Sequence, residues 1–91
     1  MTGANLRKAD LRKADLRDTN LGDTNLAGAV LMEANLTGAN MSGTHLWEAN
    51  LIGANLEGAA LRAADLDYVR MKGAIFCNTV LPDGQRIFKD C

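Results

Sequence analysis

The sequence predicts an all-β solenoid, a chain wound into stacked coils that turn a corner every fifth residue. Three observations lead there. The first is a period: Leu stands at positions 6, 11, 16 and 21, and the series of centres runs on to 81 without an insertion. Thirteen of these sixteen centres are Leu, the others being Met41, Met71 and Phe76. The second lies just before each centre. Two residues before it the chain is always compact, with Ala at eleven positions, Thr at 19, 24, 44 and 79, and Val at 69; one residue before it, ten of sixteen are Asn or Asp. The third is the pair of residues just after each centre. Both positions are variable and mostly polar, and the second is Gly at 28, 38, 43, 53, 58 and 73.

Neither regular element accommodates a period of five. At about 100° per residue, five helical steps leave successive Leu about 140° apart, scattered round the cylinder. The Asn, Asp and Gly of every unit also oppose a helix. In a flat strand the side chains alternate with period two, so an odd spacing sends successive Leu to opposite faces. A short extended piece ending in a bend satisfies the pattern: the centre and the compact residue two before it point inward, and the variable pair forms an outer corner. Gly at the second corner position suits a backbone with positive φ. Four such units close one coil of twenty residues, and coils stack at about 4.8 Å. The inner columns are then Leu6, Leu26, Leu46, Leu66; Leu11, Leu31, Leu51, Met71; Leu16, Leu36, Leu56, Phe76; and Leu21, Met41, Leu61, Leu81. Each buried Leu contributes about 1.5–3 kcal/mol. One coil cannot offset its own chain entropy, so stability comes from stacked neighbours.

The uninterrupted A-(D/N)-L-x-x units, over residues 1 to about 81, resemble the pentapeptide-repeat proteins. The resemblance implies a right-handed quadrilateral β-helix, here about four coils of four pentapeptides over residues 1–81. The ending FCNTVLPDG is similar to the terminus of many cyanobacterial members. At residues 82–91 the register breaks, and Pro82-Asp83-Gly84 is a strong turn signal. This tail is expected to fold back as a cap, with Ile87 and Phe88 covering Phe76 and Leu81. The N-terminal end shows no comparable cover.

Composition narrows the function classes. The chain is 47% hydrophobic but only 4% aromatic, so its core is aliphatic and built of small units. A net charge of −1 sets up no general field for nucleic acid or an anionic membrane. No apolar run approaches the roughly 20 residues of a membrane span. The start lacks the apolar stretch of a secretory signal, and a cytoplasmic location is expected; the alternative is a lumenal or periplasmic one after removal of a leader. Cys77 and Cys91 form no CxxC pair and are expected to be free thiols, with a bond between them as the alternative.

Function, if any is visible, lies on the outer positions. Val30, Met32 and Ile52 are expected on one outward column, with Trp47 one corner before Ile52: an interaction patch for a protein partner, or incidental surface. The first coil carries Arg7, Lys8, Arg12, Lys13 and Arg17, but Asp10, Asp15, Asp18 and Asp23 share it, which favours a solvated, self-neutralised rim. His45 stands in an Asn/Asp slot with no second His, so no metal ligand set is expected. Ser42 has no neighbouring base, and Glu33, Glu48 and Glu57 lie on a convex surface, so no catalytic or cofactor-binding residue is expected. The NLT at 35–37 matches a glycosylation acceptor, but the same Asn slot recurs without Thr and the match reads as chance. Leu6, Leu11 and Leu16, near the uncovered N-terminal edge, are candidates for a weak end-to-end contact between two copies.

The resemblance also implies one activity, since some pentapeptide-repeat proteins mimic duplex DNA and inhibit DNA gyrase. That mimicry needs a long, strongly negative rod. Four coils span only about 19 Å and the chain is nearly neutral, so a non-enzymatic structural or protein-interaction module is the preferred reading.

Overall fold

A computed structural model describes residues 2–91. Among these residues there is no helix, and the pairing matches the repeat. Isolated parallel bridges join residues twenty apart, from Asn5 to Asn25 and on in steps of five to Ala60 and Val80. One turn of the chain therefore takes four pentapeptides. The bridges are made at the position before each centre, and each is fastened from both sides: Leu6 N–H donates to Asn25 O at 2.8 Å, and Asn25 N–H to Ala4 O at 2.9 Å. The same pair of bonds recurs up the stack, so every inner turn is held above and below.

Inside lie the centres and the compact residues before them. From Leu21 to Leu61 the centres are at most 1% exposed, and Ala29, Ala34, Ala39, Ala49, Ala54 and Ala59 fill the space beside them. Three of the inward compact slots hold buried Thr: Thr24, Thr44 and Thr79. The Thr44 hydroxyl donates to Leu21 O and the Thr79 hydroxyl to Leu56 O, each at 2.7 Å and each across a turn boundary. Thr44→Val removes one such bond while Leu21 O keeps its bond from Thr24 N–H. The expected loss is about 0.5–1.5 kcal/mol in a urea melt.

The corners explain the polar part of the repeat. After each centre the chain bends, and the N–H three residues on returns to the centre's own carbonyl, as Ala9 N–H does to Leu6 O at 3.1 Å. The second corner residue has φ near +60° whether or not it is Gly: Lys8, Glu33, Glu48 and Tyr68 all adopt it. No Val, Ile or Thr occupies that position from 8 to 78, consistent with the cost of positive φ for a β-branched residue. The N–H of the first corner residue is taken by the Asn or Asp just before the centre. All ten Asn and Asp in that slot accept this bond, at 3.0 to 3.3 Å. These side chains are turn-formers. Asn35 is one of them, accepting from both the N–H and the hydroxyl of Thr37.

The C-terminal tail departs from two expectations. Strand β1 (Cys77–Val80) lies in the last turn, and β2 (Arg86–Phe88) pairs with it antiparallel, with Cys77 opposite Phe88 and Val80 opposite Arg86. Ile87 packs against the core, but Phe88 is 64% exposed. Neighbouring residues on a strand face opposite ways, so only one of the two can cover the core. The second departure is that Cys77 and Cys91 are bonded to each other, with Cα atoms 5.1 Å apart. The free-thiol expectation fails because the antiparallel return of β2 carries the tail back past Cys77, well inside bridging distance. Asp90 also reaches the last turn, where its carboxylate accepts from Phe76 N–H at 3.4 Å.

Candidate functional site

Backbone and turn-forming side chains leave the corner pairs as the places where chemistry can vary. Corners stack twenty residues apart, so each vertical edge of the solenoid can be traced upward. The edge after the first inner column carries Arg7–Lys8, then Ala27–Gly28, then Trp47–Glu48, then Asp67–Tyr68. Lys8 N–H donates to Ala27 O at 2.9 Å and Gly28 N–H to Trp47 O at 2.8 Å, which fixes this order in space. The next edge carries Met32 below Ile52, joined by the bond from Glu33 N–H to Ile52 O.

The expected apolar patch is thus divided. Trp47 is 45% exposed, and its ring meets Tyr68 edge-on at 6.2 Å with the planes 89° apart. Val30, half-buried at a bridge position between Asp10 and Asn50, lines a hollow with Tyr68. Met32 and Ile52 are half-buried and stack on the next corner along the chain as expected, but Val30 stands apart from the outward column expected for all three. Tyr68, 78% exposed, was missed by sequence reasoning. Its signal was available: it stands twenty-one residues after Trp47, one turn up and at the second position of the same corner edge.

The basic rim of the first turn is neutralised only in part. Arg12 and Arg17 each hold the Asp two residues earlier through paired hydrogen bonds of 2.7 to 2.9 Å. The guanidinium of Arg17 draws the carboxyl of Asp15 down from the ordinary 3.8 to about 2, and Arg12 lowers Asp10 in the same way. Arg7 has Asn5 in the corresponding slot and makes only a neutral contact of 3.3 Å. No ion pair holds Arg7 or Lys8 among the described residues. Because Asp15 is depressed in the folded chain, its contribution to stability is present above the ordinary aspartate range and is lost as pH falls from about 4 towards 2. Carbon-13 titration is expected to place Asp15 near 2, and Arg17→Gln to return it towards 3.8.

His45 is exposed and bridges Asn25 below and Asp65 above. Among the described residues no cluster of His, Cys, Asp and Glu is placed to hold a metal ion. At the N-terminal edge Leu6 and Leu11 are half-buried, whereas Leu16, 9% exposed, belongs to the core. Met1, which precedes them in the sequence, lies outside the described residues.

The family model for pentapeptide repeats matches residues 1–18, 9–47 and 48–81. The chain belongs to the pentapeptide-repeat family. Among solved structures it is similar to the pentapeptide repeat protein Rfr23 from the cyanobacterium Cyanothece 51142, at 43% identity and a TM-score of 0.76, over 77% of this chain and 48% of that one. It is also similar to HetL of Nostoc sp. strain PCC 7120, a protein involved in heterocyst differentiation regulation, at 27% identity and a TM-score of 0.78, over 96% of this chain and 51% of that one. A third, another pentapeptide repeat protein from Nostoc PCC 7120, is 28% identical with a TM-score of 0.75, over 97% of this chain and 73% of that one. The chain spans about half the length of the first two. No curated protein matches it. These neighbours are right-handed β-helices, and the strand-only chain shares that fold.

Proposed function

We propose that this chain is a non-enzymatic protein-interaction module: a quadrilateral stack of about four coils that presents corner side chains to an unidentified protein partner. The observation that carries the reading is the division of labour in the repeat. One side-chain oxygen of each recurring Asn and Asp is spent on a turn, and the variation left over is corner side chains along the edges of a regular stack. Trp47 and Tyr68 form the largest exposed aromatic feature there. The involvement of HetL in a regulatory process supports a role exercised through partners rather than turnover.

The test is affinity capture from a cyanobacterial extract with the unaltered protein, with Trp47→Ala and with Ile52→Asp. A partner retained by the unaltered protein and lost with either variant supports the reading. Identical capture by all three removes the surface defined by Val30, Met32, Trp47 and Ile52. A DNA-mimicking action on gyrase remains the less favoured alternative, since the molecule measures 30 × 24 × 22 Å and its net charge is −1.

The half-burial of Leu6 and Leu11 favours a second, weaker contact: loose end-to-end pairing of two copies through the first turn. Leu16 is too buried to add much, and Asp10 and Asp15 are already held by their own arginines. Salt is expected to promote this contact by screening the facing cations. Light scattering at two salt concentrations checks it; a strictly monomeric mass in both removes the contact. As to location, the Cys77–Cys91 bond supports the lumenal or periplasmic alternative over the cytoplasm, because such bonds persist in oxidising compartments.

A further inference from the structure

The corner edge that carries Trp47 contains a gap. Ala27 and Gly28 lie between two pairs of long side chains, Arg7–Lys8 one turn below and Trp47–Glu48 one turn above, each about 4.8 Å away along the axis. A hollow opens on either side of this corner. One is lined by Asn5, Asn25, Ala27 and Trp47, the other by Val30, Asn50, Tyr68 and Arg70, and both share Lys8, Gly28 and Glu48. Together they form a notch that runs round the corner across the solenoid axis.

Two properties define what fits. The first is charge. Arg7, Lys8 and Arg70 stand against the single carboxylate of Glu48, and no ion pair engages them among the described residues. Asn25 and Asn50 use their side-chain oxygens on backbone N–H groups, so the groups they offer outward are amide donors. An excess of donors and positive charge calls for carboxylates. The second is the upper wall, where Trp47 and Tyr68 set a rigid edge-to-face pair beside half-buried Val30. Exposed aromatic surface of this kind anchors an apolar side chain. The backbone at the notch is already committed to neighbouring turns, Leu6 N–H to Asn25 O and Gly28 N–H to Trp47 O among others. A partner is therefore held by side chains and not by adding a strand.

We infer that this notch receives an extended segment of a partner protein in which a carboxylate side chain stands next to a large apolar or aromatic one. The carboxylate meets Arg7 and Lys8; the apolar side chain packs on Trp47 and Tyr68. This rests on the interaction-module reading and gives that partner its chemistry. It also moves the site from Met32 and Ile52 to the Trp47 edge.

Trp47 is the sole tryptophan, so its fluorescence reports on the notch directly. The probe is the peptide Ac-Gly-Asp-Phe-Glu-Gly-NH2, titrated beside its Asn/Gln analogue and its Phe-to-Ala analogue, with nitrogen-15 spectra to locate the response. Saturable binding is expected for the first peptide, with shifts centred on Lys8, Ala27, Gly28 and the Trp47 indole. Affinity is expected to fall at least about tenfold for each analogue and for the double variant Arg7→Gln, Lys8→Gln. Ala27→Leu fills the notch at a position whose stacked counterpart is already Trp47, so the fold persists, as an unchanged melting temperature verifies. This variant is also expected to lose about tenfold or more. No Trp47 response at millimolar peptide, equal binding of the Asn/Gln analogue, or undiminished binding by Ala27→Leu overturns the inference. A Trp47 signal that changes with protein concentration alone, and is abolished by Ala27→Leu, assigns the notch to a second copy and overturns it as well. If the peptides fail while a captured partner is lost with Ile52→Asp, the interaction module stands and only the notch falls.

Discussion

Ala34→Leu is expected to destabilise the chain by about 1–3 kcal/mol or more, whereas Glu33→Ala, one residue away, stays within about 0.5 kcal/mol. Ala34 is 1% exposed and sits in the core cluster beside Leu31 and Leu36. Its N–H is bonded to Leu31 O, and its own carbonyl accepts from Asn55 N–H in the turn above, both at 3.0 Å. The column it stands in is Ala14, Ala34, Ala54, Ala74, repeated at about 4.8 Å. An isobutyl group has nowhere to go along the axis, and the turn cannot move outward without breaking the bonds above and below it. Glu33 is exposed at a corner where its neighbour one turn above is Gly53. Urea melts of the two variants read the difference. Equal shifts would contradict the inside–outside assignment.

Cys91→Ser is expected to free the tail and cost about 3 kcal/mol of its docking, the chain-entropy value for a loop of about this size. The effect is local. Leu81 N–H, bonded to Gln85 O at 2.7 Å, and Gly84 N–H, bonded to Leu81 O at 2.8 Å, are expected to lose hydrogen-exchange protection. Leu31 and Leu36, held by turns on both sides, keep theirs. The premise is checked first: the unreduced, denatured chain is expected to show no free thiol, and two thiols per chain would falsify it. Chain reversal at Pro82-Asp83-Gly84 survives the variant, since Asp83 still accepts from Gln85 N–H.

The five-residue period alone determined most of the fold. With centres, compact slots and corners repeating without a single insertion, local geometry dictates which residues face inward, because every unit makes the same bend. The Asn and Asp preference before each centre was encoded there too, although its purpose, capping the corner N–H, needed the backbone to be seen. The tertiary structure decided what lies between units. The twenty-residue pitch set Trp47 against Tyr68 and opened the Ala27–Gly28 notch between Lys8 and Glu48. The occupant of one slot, Asn5 where Asp10 and Asp15 stand later, left Arg7 without an ion pair among the described residues while its two counterparts were neutralised. The tail was the least legible, since it carries no repeat to read. Its antiparallel return turned Phe88 outward and brought Cys91 to Cys77, a contact set by how β2 folds back on β1 and by nothing in the local pattern.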